Sequence, residues 1–246
     1  NKYVGKDGVL TADEIAEVKE ISVSYRSISD LKGIEYFTAL TDLDCSDNAL
    51  TKLDVSKNVN LTKLDCSYNG LTKLDLSKNT LLTKLDCFSN DLTLLDVSKS
   101  TNLTRLYCSD NQLTLLDLSK NTALTELECS DNKLTSLDLS KNINLTQLDC
   151  SYNPLTSLDL SETAVTGLLA NTELKEYAYK TVFDGGKLDL TTLEGFDVSK
   201  ASQWSNATIE GNIVSIIDPT KYVRYIYDTG KGDAIFMIVA ESVSLT

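Results

Sequence analysis

Apolar residues in this chain return on a fixed beat. Cysteines stand at Cys45, Cys66, Cys87, Cys108, Cys129 and Cys150, each 21 residues after the last. A leucine precedes each by two residues, as at Leu43 and Leu64, and an asparagine follows each by three, as at Asn48 and Asn69. Between them runs Leu53-Asp54-Val55-Ser56, which recurs with the same period through Leu158-Asp159-Leu160-Ser161. Each unit is therefore nested, ten residues plus eleven, and both halves fit L-x-x-L-x-[LVC]-x-x-N. L-x-C and L-x-L alternate apolar with polar, the two-residue period of a strand. Short strands are expected in both halves, on two faces of a coil. Leucines and cysteines point inward; Asp, Lys and Ser point outward. A single coil cannot bury its apolar edge alone, so coils must stack. At about 4.8 Å per strand, the six coils make a rod roughly 30 Å long. Inward asparagines are expected to satisfy backbone groups at the turns and to form a ladder. The predicted fold class is a mainly β repeat solenoid.

The ends break the pattern. Thr11 and Glu14 form a capping box before Ile15 and Val18, which predicts one helix over residues 12–20 covering the first coil. Ile21-Ser22-Val23 reads as a first, imperfect strand. Past Asn153 the repeat decays: Glu162 replaces the column lysine and Thr163 the asparagine. Segments 207–217, 222–227 and 234–240, rich in Ile, Val and Tyr, read as strands, with a hairpin turn over 228–233. The chain thus divides into an N-terminal cap (1–35), the solenoid (36–180) and a small antiparallel β module (181–246) that closes the open end.

L-x-x-L-x-C-x-x-N-x-L followed by x-x-L-D-L resembles the short nested class of bacterial leucine-rich repeats known as IRREKO, over residues 40–171. That resemblance implies a right-handed solenoid with a parallel sheet. It also implies a secreted or surface-attached bacterial protein with a binding role.

Composition narrows the function. The formal net charge is −13, which repels phosphate backbones and argues against a nucleic-acid partner. Histidine is absent, which removes the commonest general base and metal ligand. With no Gly-rich phosphate loop, no nucleophile motif and carboxylates explained by the repeat, no catalysis is expected. No apolar run approaches membrane-spanning length. No secretion signal opens at Asn1, as expected of a chain from which a leader has been removed or trimmed. A monomer is expected.

Six cysteines suit either three disulfides or a column of buried thiols. The column is preferred, because side chains in stacked coils run parallel and the other half-repeat has Leu or Val there. The aspartates Asp54, Asp75, Asp96, Asp117, Asp138 and Asp159 form a second column, expected to be solvated, partly hydrogen-bonded and offset by Lys57 and its repeats. At the amino terminus, Asp7, Val9, Thr11 and Glu14 match the fifth, seventh, ninth and twelfth positions of an EF-hand loop, with Gly8 at its sharp turn. Tyr3 and Gly5 occupy positions where carboxylates belong. Two readings stay open: weak calcium binding, or a metal-free relic that caps the helix. No other cofactor is expected.

The strongest functional signal is irregularity. Beside the cysteines the outward residues are mostly Asp and Ser, yet Phe88 replaces a Ser and Tyr107 an Asp. Arg105 replaces Lys, Glu126 and Glu128 follow on the next coil, Asp86 stands beside them, and Tyr68 and Tyr152 sit one position further along their turns. Exposed Phe, Tyr and Arg on a polar sheet have the composition of a binding hot spot. Recognition of a protein partner is the leading expectation. A glycan, which stacks on aromatic rings, and a structural stalk are the alternatives.

Overall fold

A computed structural model describes residues 10–165, 179–193, 195–221, 223–231 and 233–240. Helix α1 (Ala12–Glu17) starts at the predicted capping box: Thr11 Oγ1 accepts the Glu14 amide, and Glu14 Oε2 accepts the Thr11 amide at 2.8 Å. The helix is shorter than expected because Val18 turns extended and enters the core. The helix residues themselves remain unburied, so Val18 and the strand after it, rather than the helix, seal the first coil.

Strands β1 (Glu20–Ser22), β2 (Asp42–Asp44), β3 (Lys63–Asp65), β4 (Lys84–Asp86), β5 (Arg105–Tyr107), β6 (Glu126–Glu128) and β7 (Gln147–Asp149) form one seven-stranded parallel sheet in chain order. Each holds a single inward apolar residue, and these stack in register: Ile21 on Leu43, Leu43 on Leu64, and so on to Leu148. The residue after each of β1 to β6, Val23 and then a cysteine, continues the ladder, as where the Cys45 amide donates to the Asp65 carbonyl at 2.8 Å. All six cysteines are free thiols, as the column reading requires. Burial pushes the Cys108 thiol up to about 12, so it stays protonated and inert at neutral pH.

Two asparagine spines tie the coils together. In the first, Asn69 Nδ2 donates to the carbonyls of Cys45, Cys66 and Ser67 at 3.0–3.1 Å, and its Oδ1 accepts the Leu50 amide at 2.9 Å. The second runs through Asn58, Asn79, Ser100, Asn121 and Asn142. There Asn79 Nδ2 donates to the carbonyls of Val55 and Asn58.

The expected second row of strands is not formed: the L-D-L half builds no ladder. Its backbone groups are consumed locally. Asp54 Oδ1 accepts the Ser56 amide at 2.9 Å and the Asn58 amide donates to Val55 O at 3.0 Å, a turn that repeats coil after coil. At the turn itself asparagine side chains join neighbouring coils, and amide–carbonyl pairs return only at the edge of this half, as where the Gly70 amide donates to Leu50 O at 2.8 Å.

The C-terminal module contains β8 (Tyr179–Thr181), β9 (Lys187–Asp189), β10 (Ala201–Ser205), β11 (Ala207–Glu210), β12 (Ile213–Ile216), β13 (Val223–Asp228) and β14 (Asp233–Ala240). They make a four-stranded sheet, β10-β13-β14-β8, and a three-stranded sheet, β11-β12-β9. The predicted hairpin joins β13 to β14, with Asp228 opposite Asp233. The segment 207–217, expected as one strand, folds back on itself through Gly211 at φ +60°. Pairing is antiparallel except between β14 and β8. The module docks on the last coil: Tyr225 Oη donates to Thr156 O at 2.6 Å, and the Leu160 amide donates to Thr229 O at 2.7 Å. Gly230 is required there, since a Cβ would lie 3.1 Å from Ser161 Cβ and its φ is +79°. Among the described residues no helix is long and apolar enough to cross a membrane.

Candidate recognition surface

Each strand sends two side chains outward on either side of its buried leucine, so the sheet face carries two columns. One column includes Lys63, Lys84, Arg105 and Glu126; the other includes Asp44, Asp65, Asp86, Tyr107, Glu128 and Asp149. The second column normally braces itself. Asp44 Oδ1 accepts the amide and hydroxyl of Ser46 at 3.1 and 2.7 Å; Asp65 does the same with Ser67, and Asp149 with Ser151. At Asp44 burial favours the neutral acid, but these bonds and those from Ser22 and Ser24 outweigh it and hold the carboxyl below its ordinary value.

Three successive coils abandon this brace. Phe88 has no hydroxyl, so Asp86 keeps only the Phe88 amide, at a long 3.3 Å. Burial, and then the charge of Asp65, raise the Asp86 carboxyl to about 6. On the next coil Tyr107 stands where the Asp would be, and Ser109 Oγ, on a residue 2% exposed, is left without a partner among the described residues. On the third, Glu128 replaces Asp; burial, then Asp149 and Glu126, push its carboxyl up. The corresponding Asp–Ser amide bond in the other half of the repeat survives at 2.9 Å on all these coils. A lost hydrogen bond of this kind costs about 1 kcal/mol. In return the substituted coils gain aromatic contacts on the sheet face: Phe88 meets Tyr68, and Tyr107 lies under Lys84.

What the exceptions build is an open hollow of about 210 Å³, lined by Ser67, Tyr68, Asp86, Phe88, Tyr107 and Glu128. The Tyr68 and Phe88 rings meet edge to face with centroids 5.0 Å apart. Tyr68 holds a left-handed backbone, φ 51°, a position that most other coils fill with Asp or Ser. A bulky side chain there costs about 1–2 kcal/mol. Lys84 Nζ lies 5.1 Å from the centre of the Tyr107 ring. Burial raises the Tyr107 phenol to about 12, aided by its hydrogen bond to Glu126 and opposed by Arg105.

The structure therefore brings together Tyr68, Asp86, Phe88, Tyr107 and Glu128, with Arg105 and Glu126 in the adjoining column. It leaves Tyr152 apart: that residue belongs to the coil of Cys150, beyond Glu128, and does not line the hollow. Ser67 and Lys84 were not singled out by sequence. Aligning coils in register, with Lys84 beside Arg105 and Asp86 beside Tyr107, was the signal that would have found them. In the amino-terminal loop, Asp7 and Val9 lie outside the described residues. Thr11 and Glu14 are committed to each other in the helix cap, with Glu14 Oε2 accepting from the Thr11 hydroxyl at 2.9 Å.

The family described as Leucine Rich repeats (2 copies) matches residues 122–162. No curated protein sequence matches significantly. Among solved structures, the functional domain of InlJ from Listeria monocytogenes, described as including a cysteine ladder, is similar over 94% of this chain and 69% of its own, at 24% identity and a TM-score of 0.55. The internalin InlF of Listeria monocytogenes aligns with 63% of this chain at 22% identity and a TM-score of 0.58. A leucine-rich-repeat protein of Leptospira interrogans aligns with 64% at 23% identity and the same TM-score. The chain spans 48% and 44% of the latter two.

Proposed function

We propose that this leucine-rich-repeat protein is a non-catalytic recognition module that docks a protein partner on the outward face of its parallel sheet, at the hollow around Phe88 and Tyr107. One observation carries the reading. The Asp–Ser brace is kept at the coils of Cys45, Cys66 and Cys150 and given up at the three between, where an aromatic hollow stands instead. A rigid sheet offering rings on a polar surface supplies the buried anchors that protein interfaces use. Likeness in fold to Listeria internalins and a Leptospira repeat protein supports a bacterial source and a secreted or surface-exposed location.

Replacing Phe88, Arg105 and Tyr107 together by alanine is expected to weaken binding to a partner isolated from surface proteins by at least about tenfold, or 1.4 kcal/mol. Unchanged affinity would remove this face from the interface. The three rings of the hollow also favour a glycan as a second reading. A glycan array with wild-type protein and the same triple variant decides it, since ring stacking predicts signals that the variant loses.

A further inference from the structure

We infer that the hollow receives an arginine side chain of the partner, its guanidinium lying against the Tyr68, Phe88 and Tyr107 rings and hydrogen-bonded by Asp86 and Glu128. This rests on the recognition surface proposed above and specifies its chemistry. Of the residues lining the hollow, the charged ones are the two carboxylates. The nearest basic side chains, Lys84 and Arg105, belong to the adjoining column and do not line it. Asp86 lacks the serine hydroxyl that the regular coils supply, and Glu128 stands exposed where a self-bracing Asp would be. A guanidinium carries five N–H donors in a planar fork, which fits two separated carboxylates while its face stacks on a ring. The protein already shows that one of these rings attracts a cation: Lys84 Nζ approaches Tyr107 at 5.1 Å. Burial first, and then the like charges around them, raise both carboxyls, a cost that a bound cation would relieve. The hollow, about 210 Å³, has room for one side chain rather than for a helix or strand. With a net charge of −13, the whole molecule steers basic partners toward it.

The test is an NMR titration of the isotope-labelled 246-residue chain with N-acetyl-arginine methylamide, and in parallel with the uncharged citrulline analogue of nearly the same shape. Arginine is expected to give saturable shifts confined to Tyr68, Phe88, Tyr107 and the Asp86 and Glu128 carboxylates, and to lower the Asp86 titration midpoint. Citrulline is expected to bind at least about tenfold more weakly. The near-isosteric pair Asp86→Asn and Glu128→Gln should abolish the arginine response while leaving the rest of the spectrum in place. Equal responses to arginine and citrulline, shifts elsewhere on the sheet, or no saturation overturn the inference. The comparison on wild-type protein decides this even if the double variant does not fold. Lysine methylamide binding as tightly as arginine would overturn the fork in favour of a simple point charge. If arginine fails while the Phe88, Arg105 and Tyr107 triple variant still loses its partner, the recognition surface stands and only the cation is refuted.

Discussion

Asp86 shows what happens to a column carboxyl when its serine hydroxyl is lost. Its folded carboxyl titrates near 6, above the ordinary 3.8, so the folded state holds the proton more tightly than the unfolded chain does. Stability from this group is fully present below about pH 3.8 and is lost as pH rises through about 6. Asp86→Asn should therefore stabilise the protein at pH 7 by about 1 kcal/mol, after allowing for solvent screening of a partly exposed site. Urea unfolding should show that gain shrinking to nothing near pH 4; a gain independent of pH would mean the charge is not its source. Phe88→Ser tests the same trade from the other side. It restores a hydroxyl to Asp86, worth about 1 kcal/mol, and removes the Tyr68–Phe88 ring contact, worth about as much. The expected result is unchanged thermal stability with partner affinity lost. A large destabilisation would make Phe88 a structural residue.

At the scale of the element, the two asparagine spines are unequal. Asn111 in the first spine donates to the carbonyls of Cys87, Cys108 and Ser109 and accepts the Leu92 amide at 3.0 Å. Asn121 in the second donates to the carbonyls of Val97 and Ser100, and its Oδ1 has no partner among the described residues. The second spine also tolerates Ser100, whose hydroxyl donates to Asn79 O at 3.2 Å. Asn111→Ser should cost about 3 kcal/mol or more, because several buried backbone groups lose their partner at once. Asn121→Ser should cost only about 1 kcal/mol. Equal losses in denaturant unfolding would refute this ranking. The cysteine column belongs to the same scale: its thiols, buried and protonated, should resist a thiol-reactive dye in the folded protein and all six should react after unfolding. Rapid labelling of Cys108 in the native state would contradict the coil geometry.

For the molecule as a whole, the open problem of a stacked solenoid is its ends, where an apolar coil face has no next coil. Here Leu155, Leu158 and Leu160 in the last coil are buried, and the C-terminal module is bonded to that coil through Tyr225, Thr229 and Lys200. Deleting residues 181–246 should convert a well-behaved protein into one that associates, read by light scattering. A truncated chain that stays monomeric with its melting temperature unchanged would show that the module is an appendage and not a cap.

The sequence alone determined the coil. A three-residue strand with one inward leucine, repeated every 21 residues, leaves no other way to bury its leucines, thiols and asparagines, and the departures at Phe88 and Tyr107 could be read as departures. It could not say which half would become the sheet, because both halves alternate apolar with polar. The choice depends on whether backbone amides are captured by local turns, as Ser56 is by Asp54, or left for a neighbouring coil. Nor could it show that Tyr68 meets Phe88, or that Lys84 lies over Tyr107, since those contacts exist only once coils stack at strand spacing. Lys200 is the plainest case. Glu162 ends the lysine column, and Asp159 recovers a cation 2.8 Å away from a module 41 residues further along, which holds its carboxyl at about 2. Periodicity fixes what recurs; only packing in three dimensions decides what meets across the breaks.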